Sequence, residues 1–134
     1  NRRDAKGIPY YEKSRGWLFG LIAKLAQRLE KTPEGEGNML DNTLIIYMSD
    51  APDTHHSTAF EWPLAMVGNI KGKLNLGGRY INFPGYGKPG HHTISALYST
   101  FLNCAGVKQQ TFGQLDGDLD VKRMQTGPLP QILA

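Results

Sequence analysis

Apolar side chains return every fourth position from Trp17 through Leu21 and Leu25 to Leu29, with Leu18 and Ile22 widening the stripe. Lys24, Gln27, Arg28 and Lys31 occupy the other face, so the spacing predicts an amphipathic helix over 13–31. Ser14 suits its N-cap, and Thr32-Pro33 marks its end. A Gly-Glu-Gly loop at Gly35–Gly37 then leads to Leu44–Met48, a run with no polar alternation. Such a run predicts a strand covered on both faces, as parallel-sheet strands are. Helix, short loop and buried strand together make half of a crossover unit.

Pro52 follows the strand and blocks its continuation. A second short strand is expected over Trp62–Gly68. Lys71–Leu76 and Arg79–Phe83 alternate weakly around Gly77-Gly78, which suits a surface hairpin. Pro84–Gly90 reads as a loop. Ile94, Leu97, Tyr98, Phe101 and Leu102 line one face of a helix over 93–105, with Gly106 just past its end. Periodicity fades after Phe112, so 116–134 reads as an extended tail wrapping a surface, behind an α/β portion over 1–115.

Composition changes this picture little. With 134 residues, 40% hydrophobic and 20% charged, the chain has the make-up of an ordinary folded domain. A net charge of +3, spread without a basic run, argues against nucleic acid as a partner. The single Cys104 excludes an internal disulfide framework and sits in a helical apolar pattern, which suits an inert thiol. No apolar run approaches the length of a transmembrane helix. The chain opens at Asn1 rather than Met, and the strands it supplies are too few to cover Leu44–Met48. Both features imply that the sheet is completed by the rest of the polypeptide or by a companion chain.

The chemistry concentrates after the first strand. Asp50, Asp53, His55 and His56 lie close together where a parallel strand would end, the edge at which open α/β sheets bind ligands. Asp50 there could hold a divalent metal or orient a histidine, while Asp-Ala-Pro-Asp is also turn-forming chemistry. Of the adjacent His55 and His56, one at most is expected to touch a given metal, leaving the other for substrate or a supporting hydrogen bond. A mixed His/Asp set favours zinc over calcium or magnesium. His91 and His92, the remaining two of the four histidines, precede the second helix. They could reach toward the same edge, or His92 and Thr93 could simply cap that helix. Glu61, Lys71, Lys73 and Arg79 are read as solvated charges, and no nucleophile motif or phosphate loop is present.

The ordered run LDNTLIIYMSD, THHSTAFEWPLAMVGN, HHTISALYSTFLNCAGV and TFG resembles the C-terminal part of the DUF1552 family over residues 38–115. That family is related to the DUF1501 proteins and, more distantly, to the alkaline phosphatase/sulfatase superfamily. The resemblance implies an incomplete portion of an alkaline-phosphatase-like parallel-sheet sandwich and metal-dependent hydrolysis of phosphate or sulfate esters. It makes Asp50 and one of His55 and His56 look like ligands of one metal, and His91 or His92 like the superfamily's late histidine. With the donor mixture favouring zinc, the candidate set is Asp50, His55, His56 and His92 for the metal and His91 and Asp53 for the substrate. It also implies export to a bacterial envelope or beyond. The superfamily's nucleophile and first metal carboxylates sit on an N-terminal strand that this chain lacks, and Ala51–Thr54 separate Asp50 from His55 where an Asp-His pair is usual. The competing expectation is a non-catalytic structural or assembly subunit that retains the fold.

Overall fold

The computed structural model describes residues 7–49 and 62–134. It has mixed α/β architecture, with α1 (Gly7–Glu30), β1 (Pro33–Glu34), β2 (Gly37–Asn38), β3 (Leu44–Met48), β4 (Leu64–Gly68), α2 (Ile94–Cys104) and a π-helical turn over Val121–Gln125.

Helix α1 begins six residues before the sequence pattern does, at Gly7 rather than 13. Pro9 lies in its first turn, where the missing N–H is not needed by the helix and the fixed φ is helical already. Ser14 is therefore not the cap: inside the helix, its hydroxyl donates back to the Tyr11 carbonyl at 3.2 Å. The far end follows expectation, with the Thr32 hydroxyl donating to the Arg28 carbonyl at 2.7 Å. The Gly-Glu-Gly loop is the turn of a miniature hairpin, in which β1 and β2 pair through Pro33–Asn38 and Glu34–Gly37. Gly35 takes φ 60°, the left-handed conformation such a tight turn requires.

Strand β3 pairs with β4 antiparallel, Leu44 opposite Gly68 and Met48 opposite Leu64. This corrects the parallel reading of the Leu44–Met48 run, whose unbroken apolar character reports two-sided contact and not strand direction. Every residue of both strands is only half-buried, because the sheet is two strands wide. The two helices still take opposite faces. Tyr47 stacks on Phe19 of α1 with ring centroids 4.9 Å apart. Its neighbour Met48, which must point the other way, receives the Tyr98 hydroxyl of α2 at 3.6 Å. Leu44, on the Met48 face, packs against the core cluster that includes Ala96 and Cys104. One ring contact from α1 and one from α2 thus reach opposite faces of β3.

No hairpin forms over 71–83. Ile70, Lys71 and Gly72 all have positive φ (49°, 56° and 72°), which swings the chain out of β4. For a β-branched residue such as Ile70 that conformation costs on the order of 1–3 kcal/mol. Leu74, 3% exposed, then bridges Leu133 in antiparallel fashion instead of a sequence neighbour. The Asn75 N–H donates to the Ile132 carbonyl at 2.9 Å, and the Ala134 N–H to that of Lys73 at 3.1 Å. Leu74, Ala96, Cys104, Leu129 and Ile132 form the buried cluster, so residues from the 116–134 segment build the core beside α2. Its π-helical turn is capped by Asp120, whose carboxylate accepts from the Arg123 N–H at 2.9 Å. Gly127 sits so close to α2 that a Cβ there would run into Ser99 and the Ala96 carbonyl.

Candidate functional site

Asp50, Asp53, His55, His56 and Glu61 lie outside the described residues. The described candidates lie in the segment entering α2. Thr93 is the N-cap residue, with extended backbone (φ −84°, ψ 168°) and its N–H bonded to the Met124 carbonyl at 2.8 Å. Its hydroxyl does not cap the helix; it is buried without a hydrogen-bond partner.

His91 is 8% exposed. The bend at Gly85–Lys88 folds the loop back, and the His91 N–H closes it onto the Lys88 carbonyl at 2.9 Å. Its Nδ1 lies 3.0 Å from the Pro84 carbonyl oxygen. A carbonyl only accepts, so Nδ1 carries the proton and, in the neutral ring, the lone pair is on Nε2. Backbone carbonyls commonly fix metal-binding imidazoles in this way, and structural histidines too. Tyr86 packs across the His91 ring at 5.8 Å, and its hydroxyl donates to the Asp116 carboxylate at 2.7 Å. That hydrogen bond, helped by the Asp118 N–H, holds the Asp116 carboxyl below the usual carboxylate range.

His92 faces different partners. Its ring meets Phe83 edge-to-face, centroids 5.2 Å apart, and its Nδ1 is buried with no hydrogen-bond partner. Burial, with a smaller contribution from His91, pushes its pKa down and favours the neutral ring. A neutral imidazole with a bare buried nitrogen is the form a metal binds. The adjacent rings thus diverge, His91 toward the 84–86 bend and His92 toward Phe83.

The helix brings this segment near the end of β3. Tyr98, which touches Met48, follows Thr93 by five residues, about 7.5 Å of helix. The histidines thus lead into the helix whose Tyr98 touches the last residue of β3. Among the described residues, no group of three or more His, Cys, Asp or Glu side chains converges on a point that could hold a metal.

The other candidates have structural roles or none. Lys73 donates to the Cys104 carbonyl, a cation at the C-terminal end of α2 where the helix dipole favours one. Arg79 caps the carbonyl of Asn75 at 2.9 Å. Cys104 is buried, which raises its thiol pKa and makes it inert. An open depression lined by Glu34, Glu36, Asp41 and Lys71 includes neither histidine. Phe83 and the Tyr86–Asp116 pair escape the sequence reading, whereas Thr93 is already a candidate cap of α2 there. Only Thr93 carried a usable signal, its position before an apolar helical pattern. Among the described residues no helix is long and apolar enough to cross a membrane.

No family model matches the chain, and no curated protein and no solved structure matches it.

Proposed function

We propose that the chain is the C-terminal portion of an alkaline-phosphatase-like α/β hydrolase of the DUF1552 type, contributing ligands to a metal-dependent site that cleaves phosphate or sulfate esters. The observation that carries this reading is the placement of His92, neutral and with an unpartnered buried nitrogen, at the start of the helix that packs on the end of β3. The two-stranded sheet supports it, since among the described residues β3 has a neighbour on one edge only. Further strands, supplied by the rest of the polypeptide or a companion chain, would extend the sheet there.

In this reading His92 joins Asp50 and one of His55 and His56 around a divalent metal, zinc by the mixture of imidazole and carboxylate donors. The metal, when bound, supplies a Lewis acid for the oxyanion that develops as the ester breaks. His91, its Nδ1 proton committed to Pro84, presents Nε2 as an acceptor toward a substrate or water, and Asp53 is a further candidate to contact the substrate. The nucleophile comes from outside this chain. The resemblance that motivates the reading also places the protein in a bacterial envelope or extracellular setting.

The test is the metal content of the purified protein beside its Asp50→Ala and His92→Ala variants. Stoichiometric zinc that falls in both variants is expected. Absence of metal, with unchanged behaviour of Asp50→Ala, overturns the proposal. It would leave the second reading, a structural or assembly subunit, which the packing of His91 between Pro84 and Tyr86 favours.

A further inference from the structure

We draw no further inference here: the strongest candidate, the outward apolar face of α1 formed by Tyr10, Trp17, Leu21 and Leu25, carries nothing because nothing in the structure shows what covers it.

Discussion

The Tyr98 hydroxyl points at the Met48 sulfur, 3.6 Å away, and so ties the second turn of α2 to the last residue of β3. The same ring packs against Phe101 at 6.0 Å and Phe112 at 5.0 Å, so it joins the end of β3 to α2 and to the segment that follows it. An O–H···S contact is weak and replaceable, whereas the ring is not. Tyr98→Phe is expected to change stability by less than about 0.5 kcal/mol, within the usual range for such small changes. Tyr98→Ala is expected to cost about 2–3 kcal/mol, below the full cost of a buried aromatic because the ring is half-buried. Urea denaturation of the two variants checks both values.

His92 separates stability from function. Its buried Nδ1 lacks a partner, and such a group destabilises the fold by about 1–3 kcal/mol. Phenylalanine in its place keeps the edge-to-face contact with Phe83 and removes the bare nitrogen. His92→Phe should therefore melt at or above the temperature of the parent and, under the proposed function, bind less zinc. A variant that unfolds more easily would mean that the nitrogen has a structural partner after all.

The close approach of Gly127 to α2 makes a sharper test of packing. An added methyl group meets the Ala96 backbone carbonyl, which cannot rotate aside, as well as Ser99 and Thr100. Gly127→Ala should cost about 1–3 kcal/mol, typical of overpacking. Gly113→Ala serves as a control for conformation alone, because Gly113 has a positive φ of 69° but open space around it. The first variant should be the more destabilised in the same denaturant titration.

The Tyr86–Asp116 pair predicts a pH effect with a definite sign. The tyrosine hydrogen bond is the largest cause of the depressed Asp116 pKa, so Tyr86→Phe should raise that pKa toward the ordinary carboxylate value. A depressed carboxylate stabilises the fold above its unfolded pKa of about 3.9, and this stabilisation is lost as pH falls through the lower folded value. The side chains are exposed, so the effect on stability is small, and the carboxyl carbon shift of Asp116 in an NMR titration is the better readout.

Cys104 titrates in the opposite sense. Burial raises its pKa, so the folded state disfavours the thiolate. Stability is unaffected below the unfolded thiol value of about 8.5 and declines as pH rises through it toward the folded value. At neutral pH the thiol should react with an alkylating reagent far more slowly in the native protein than in denaturant. Equal rates in the two would mean that α2 is not packed.

Local patterns were readable in the chain, and contacts between distant segments were not. The four-residue recurrence from Trp17 to Leu29 and the apolar face of 94–102 mark both long helices, which the structure contains. Leu44–Met48 reads as a strand for the same reason, but an unbroken apolar run is equally compatible with either strand direction. Its antiparallel pairing depends on Leu64–Gly68, which follows only after residues 49–63 of the chain. The pairing of Leu74 with Leu133 left no trace, because Lys71–Leu76 suggests a partner nearby in sequence and Leu133 lies in a stretch without periodicity. The His91-His92 pair stood out by its chemistry. What separates the two rings is a backbone bend that aims the Pro84 carbonyl at one and leaves Phe83 to the other. That depends on turn geometry, which periodicity does not encode.

The bridge between Leu74 and Leu133 also dictates when this protein can become itself. Leu74, Ala96 and Cys104 leave the ribosome before Leu129 and Ile132, the residues that complete their cluster. Until those late residues emerge, the nascent chain can form its helices and bring β3 against α2, but the cluster around Ala96 and Cys104 lacks its last buried members. Its solubility during synthesis then rests on whatever shelters that cluster in the interval.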